Sequence, residues 1–111
     1  MPGSGGAPKS RGRHMKNRNY EALYILPSNF DDAAVQASLD TFKKAIEENG
    51  GSVSKAAKWD TRKLAYKIKG HTEGIYCLVE FSAPPTVPEE VRRLFRISDE
   101  IIRGRVFLRE E

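Results

Sequence analysis

Ile75-Tyr76-Cys77-Leu78-Val79-Glu80-Phe81 is apolar at nearly every position. A run of that kind has almost no polar face. It reads as a strand covered on both sides, near the centre of a sheet. Just before it, Gly70-His71-Thr72-Glu73-Gly74 reads as a turn. Val53 to Ile68 then becomes its hairpin partner. That stretch is long for one strand, so a bend or bulge is expected near Trp59-Asp60. After it, Pro84-Pro85 breaks the chain. Pro88 to Arg96 reads as a short helix, with Pro88, Glu89 and Glu90 suited to its first turn and Val91, Leu94 and Phe95 as its apolar stripe.

Working outward, Ile101 to Leu108 supplies a last strand. Towards the N-terminus, Asp31 to Asn49 predicts the longest helix. Val35, Leu39, Phe42 and Ile46 fall on one stripe, two aspartates suit the positive end, and Gly50-Gly51 stops it. Tyr20 to Leu26 predicts the first strand, closed by Pro27. Ala22, Tyr24 and Leu26 point one way, and Glu21, Leu23 and Ile25 the other. Apolar residues on both faces make this an inner strand, or one whose second face meets a partner. The order β-α-β-β-α-β predicts an α+β fold of the ferredoxin-like kind: a four-stranded antiparallel sheet with two helices on one face. The other face is then open, yet it carries Leu23, Ile25, Tyr76 and Leu78. Scattered surface hydrophobics are ordinary. Apolar residues on adjoining strands favour a docking protein instead.

The whole chain has 111 residues, enough for one domain with a modest core. Residues 15–111 form that domain. Residues 1–14 are expected to be a disordered basic tail, either a native arm that lies along phosphates or a remnant of an engineered start, since His14-Met15 has that form. No apolar run approaches the roughly 18 residues of a membrane span, and no secretory signal is visible. The lone Cys77 fits a reducing cytoplasm. The net charge of +4 is uneven: residues 1–18 hold five cations and no acid, so the rest sums to −1. Any nucleic-acid affinity must come from local patches or the tail.

No catalytic constellation emerges. His14 and His71 lack companions at metal-ligand spacing, and Cys77 sits in a buried strand pattern without an activating cation. Gly50-Gly51 ends a helix where a phosphate-cradling loop would begin one. Glu47-Glu48 fits a solvated face better than an acid–base pair. Acylphosphatases share this fold order, but their phosphate loop carries an arginine. Here the same connection is Pro27-Ser28-Asn29-Phe30, with no cation and no glycine. No cofactor, metal or small-molecule substrate is expected.

Cations gather in two segments. Lys55 to Lys69 holds six against one acid, Asp60, with Trp59 and Tyr66 interleaved as stacking candidates. Arg92 to Arg109 holds six arginines. Lysines on strand edges can simply discourage aggregation. Six arginines favour RNA, because the guanidinium fork matches phosphate and stacks on bases. Arg103 and Arg105, two apart in a strand, share a face. Gly104 between them suggests a bulge or the close approach of another backbone. An RNA-recognition motif has this strand order, but the aromatic register and the leading cation on the third strand do not match.

Trp59-Asp60-Thr61-Arg62-Lys63-Leu64-Ala65-Tyr66-Lys67-Ile68 resembles the signature of the bacterial small-subunit ribosomal protein six family, roughly Trp-Gly-x-Arg-x-Leu-Ala-Tyr-x-Ile. Asn19-Tyr20-Glu21, Glu73-Gly74-Ile75-Tyr76 and Leu94-Phe95-Arg96-Ile97-Ser98-Asp99-Glu100-Ile101-Ile102-Arg103 extend the likeness in the right order. It covers about residues 15–109. Asp60 replaces the usual glycine, and Lys67 stands where proline is common. The resemblance implies a non-enzymatic constituent of the cytoplasmic ribosome. It would bind the central domain of small-subunit rRNA together with small-subunit ribosomal protein eighteen. On that reading Arg96, Arg103 and Arg105, then Arg62 and Lys63, face RNA. Leu23, Ile25, Tyr76 and Leu78 face the protein partner. A ferredoxin-like interaction or regulatory module that binds only protein is the alternative.

Overall fold

The computed structural model describes residues 17–109, so the tail expected over 1–14 lies outside the described residues. The elements run β1 (Arg18–Pro27), α1 (Asp32–Glu48), β2 (Ser52–Ile68), β3 (His71–Ala83), α2 (Val87–Ile97) and β4 (Arg103–Arg109). The sheet order is β2-β3-β1-β4, antiparallel throughout. This is the α+β arrangement the sequence predicts, with β1 and β3 as the two inner strands.

Alternation along the inner strands sets the layers. Tyr20, Ala22, Tyr24 and Leu26 of β1 join Ile75, Cys77, Val79 and Phe81 of β3 beneath the helices. The helices contribute Val35, Leu39, Phe42 and Ile46 from α1, and Val91 and Phe95 from α2. Tyr24, Phe42 and Phe95 form a ring cluster with centroids 4.8, 5.0 and 5.6 Å apart. The buried Tyr24 hydroxyl meets the Ser38 hydroxyl at 3.0 Å, so its polar atom is satisfied.

Each helix is stopped by local chemistry. The Asp31 carboxylate accepts from the Ala34 amide at 2.8 Å and caps α1. At the other end, the Gly51 amide reaches the Ile46 carbonyl at 2.9 Å and the Gly50 amide reaches that of Glu47 at 3.2 Å. With Gly50 at φ +95, this is a Schellman motif. Pro88 stands in the first turn of α2.

The second and third strands depart from expectation at their junction. The turn is Lys69-Gly70 alone, with φ values of 51 and 83, and β3 already begins at His71. Two successive positive φ angles make a tight hairpin turn whose twist matches the strands. Gly74 lies within β3, paired with Pro27 and Arg62, and glycine is required there because a Cβ would collide with Cγ2 of Ile25. The pairing slips between Lys58 and Asp60, which leaves Trp59 at the expected irregularity. Further slips fall between Val53 and Lys55 and between Lys63 and Ile68. β4 begins at Arg103, later than expected. Ile101 and Ile102 are buried ahead of it, and the Ile102 amide donates to the Ile25 carbonyl at 2.9 Å.

Candidate functional site

Directly paired residues in an antiparallel sheet share a face, so the register defines rows across the face that the helices leave open. One row runs Asp60, Tyr76, Ile25, Arg103. The next runs Ala57, Leu78, Leu23, Arg105. Each row is apolar on the inner strands and ends in an arginine on β4. The third row, Lys55, Glu80, Glu21 and Phe107, is charged at its middle. The apolar patch is therefore confined to one end of the sheet.

That end is partly covered. Neighbouring strands lie about 4.8 Å apart, so β2 and β4 are separated by roughly three spacings in a flat sheet. Yet Arg103 Nη1 donates to the Tyr66 hydroxyl at 2.9 Å, and Lys69 Nζ to the Ile101 carbonyl at 3.4 Å. The far end of the β2–β3 hairpin must therefore curl back over the open face. The curl makes a groove, with Leu23, Ile25 and Tyr76 on its sheet side and Leu64, Tyr66 and Ile68 on its hairpin side. Arg103 and Arg105 also border it.

The four residues expected to face a protein partner do share this surface. Leu23, Tyr76 and Leu78 are half-buried, whereas Ile25 is only 6% exposed. Ile25 thus serves as floor, and the other three supply the reachable apolar surface.

The five residues expected to face RNA do not form one cluster. Arg96 and Arg103 line a common cleft between α2 and β4. Arg105 lies on the open face and borders the groove. Arg62 and Lys63 stand apart, on the hairpin arm. The Arg62 guanidinium lies 5.1 Å from the exposed Trp59 ring and pairs with Asp60 at 3.3 Å. Lys63 pairs in register with Glu73.

Ion pairing sorts the arginines further. Arg92 pairs with Glu89, Arg93 with Glu90, and Arg109 with Glu21 and Glu80. The Arg93 bond holds the Glu90 carboxyl below its usual range. Among the described residues, Arg96, Arg103 and Arg105 have no carboxylate partner within ion-pair distance. Together with Arg18 at the start of β1, these arginines have charge to spare for an external anion.

Burial pushes the Cys77 thiol up to about 11, which keeps it protonated and unreactive near neutral pH. Among the described residues no cluster of histidine, cysteine or carboxylates is placed to hold a metal ion. Among the described residues no helix is long and apolar enough to cross a membrane. The arrangement offers binding surfaces: an apolar groove and unpaired guanidinium groups on adjoining edges.

Known proteins share both the sequence and the shape. The family profile described as Ribosomal protein S6 matches residues 19–107. The small ribosomal subunit protein bS6 of Clostridium beijerinckii is 46% identical over 86 residues, covering 78% of this chain and 90% of that protein. The bS6 protein of Clostridium botulinum strain Loch Maree is 40% identical over 93 residues, covering 84% and 99%. The crystal structure of 30S ribosomal protein S6 from Thermotoga maritima superposes with a TM-score of 0.78 at 33% identity, covering 85% of this chain and 89% of that one.

Proposed function

The chain belongs to the ribosomal protein S6 family, and from that footing we propose that it binds small-subunit rRNA jointly with small-subunit ribosomal protein eighteen. Membership makes it a structural constituent of the small subunit of the cytoplasmic ribosome, not an enzyme. The finer reading concerns which surface does what. The protein partner seats on the apolar patch of Leu23, Tyr76 and Leu78, with Ile25 as its floor. RNA phosphates meet Arg96, Arg103 and Arg105, with Arg62 and Lys63 as secondary contacts.

One observation carries this reading: the two apolar rows of the open face each end in an arginine without a carboxylate partner. An apolar patch explains a protein contact, and unpaired guanidinium groups at its rim explain an anion beside it. A domain close to neutral overall has little long-range attraction for RNA. Joining it to a second RNA-binding protein raises the effective concentration of its few contacts.

The test is filter binding of a central-domain rRNA fragment by the full chain with protein eighteen, over a range of salt. Arg103→Ala with Arg105→Ala should lower the slope of log affinity against log salt by about 1.4–1.8, for two phosphate contacts. Circular dichroism should show the fold intact. Leu78→Asp should weaken pairing with protein eighteen without altering the fold. An unchanged slope removes these arginines from the RNA face. Pairing with protein eighteen but no RNA binding by the pair leaves the protein-only module.

A further inference from the structure

We infer that the cleft between α2 and β4 is a seat for one backbone phosphate of RNA, and that Lys69 and Arg92 belong to it beside Arg96 and Arg103. The inference deepens the RNA reading above and rests on it for the source of the phosphate. Three separate elements bring cations to this cleft: the β2–β3 turn gives Lys69, α2 gives Arg92 and Arg96, and β4 gives Arg103. Among the described residues no carboxylate lines it.

The cations are positioned before any ligand arrives. Arg92 and Arg96 are four residues apart and so share one side of α2. Lys69 sits at φ 51 in the tight turn, with its ammonium against the Ile101 carbonyl. The Tyr66 hydroxyl holds one nitrogen of Arg103 and leaves the others free. Arg92 shares its charge with Glu89, but that pair is exposed and weak. The cleft is about 290 Å³, room for a phosphate and part of a sugar but not for a duplex.

The geometry favours phosphate over a protein carboxylate. A carboxylate has only two oxygens, and its acceptor sites lie in one plane. A tetrahedral phosphate accepts from several directions, which suits donors arriving from a turn, a helix and a strand.

Two measurements on the full chain test this. In the first, sodium pyrophosphate is titrated at constant ionic strength while backbone amide spectra are recorded. Amides of Lys69, Ile102, Arg103 and Gly104 should shift, and those of α1 should not. In the second, Lys69→Asn is compared with Lys43→Gln for binding to the rRNA fragment with protein eighteen. Asparagine tolerates a positive φ, so the turn survives. Lys69→Asn should lower the salt slope by part of the about 0.7–0.9 that one phosphate contributes, because three arginines still face it, and Lys43→Gln, an equal loss of charge on α1, should leave it unchanged. Still amides at the cleft, or equal loss in the two variants, overturns the seat. Shifting amides with no RNA binding by the wild-type pair overturns the RNA reading and the assignment of this phosphate to RNA.

Discussion

β4 runs so close under α2 that residue 104 has no room for a methyl group. A Cβ built on Gly104 lies 2.5 Å from both Cγ and Cδ2 of Phe95, and 2.9 Å from Cδ1. Carbon atoms are at ease about 3.5–4.0 Å apart. Gly104→Ala therefore forces the ring or the strand aside by about 1 Å, the shortfall from that separation. Neither is free to move. The ring packs on Phe42 and Tyr24, and Gly104 is paired with Tyr24 in the sheet. Overpacking of this kind costs roughly 1–3 kcal/mol. The less flexible unfolded chain returns about 0.4–1 kcal/mol of that. A net loss of about 1–2 kcal/mol corresponds to a fall in Tm of roughly 4–16 °C for a domain of this size.

The assay is urea and thermal unfolding of the variant, its m-value serving as a check that the unfolded state is unchanged. Phe95→Leu supplies the control, since it removes the ring that the new methyl group strikes. In that background Ala at 104 should cost less than half as much, a coupling of about 1 kcal/mol. A Tm within about 2 °C of wild type, well under the shift expected for 1 kcal/mol, would refute the close-approach argument. So would an equal penalty in both backgrounds.

Asp31→Ala should cost about 1 kcal/mol through loss of the cap on α1, read as a lower urea midpoint; Asp31→Ser should restore most of it. Alkali should destabilise the fold. Burial pushes Cys77 up from 9.0 to about 11 and raises Tyr24 above its ordinary 10.0, so both stay protonated in the folded chain where the unfolded chain ionises. That contribution is complete below about pH 9 and is lost as pH climbs through 11 and beyond; a flat urea midpoint between pH 8 and pH 11 contradicts it. Tyr66→Phe removes the hydroxyl that fixes Arg103 on an exposed side chain. Tm should stay unchanged, while rRNA affinity on the proposed reading falls about two- to fivefold, for roughly 0.5–1 kcal/mol of lost positioning.

The parts of this fold written in local periodicity were legible in the sequence. The stripe Val35, Leu39, Phe42 and Ile46 is the buried face of α1, and the irregularity expected near Trp59 is where the ladder slips. Gly104 suggested a bulge or the close approach of another backbone; the ladder there is regular, and what approaches is a side chain, the Phe95 ring. The errors came where a distant element decides a local state. Gly74 looked like a turn residue because nothing nearby reveals that Ile25 lies across it. Ile101 and Ile102 have strand-like side chains, yet they are drawn into the turn before β4. The site was legible only in part for the same reason. Clusters along the chain are not clusters in space: Arg62 and Lys63 lie on the hairpin arm, away from Arg96 and Arg103. Lys69 counted only as one cation of the Lys55 to Lys69 patch, because its place at the cleft depends on the curl of that arm.

The curl also ties the two proposed surfaces together. Arg103 borders the apolar groove on one side and the cationic cleft on the other, and the Tyr66 hydroxyl pins it between them. A protein seated in the groove packs against the hairpin arm that carries Tyr66 and Lys69. It therefore restrains the two side chains that position cations at the cleft. Ordering those groups once serves both ligands, so the second to bind meets a smaller entropic cost. Linkage then requires reciprocity: RNA must tighten the protein contact by the factor with which the protein tightens RNA. On that argument Tyr66→Phe should reduce the coupling between the two partners more than it reduces the affinity for protein eighteen alone. A thermodynamic cycle of the four binding steps, in wild type and variant, reads that difference directly. Equal coupling in both would mean that Arg103 belongs to one surface only.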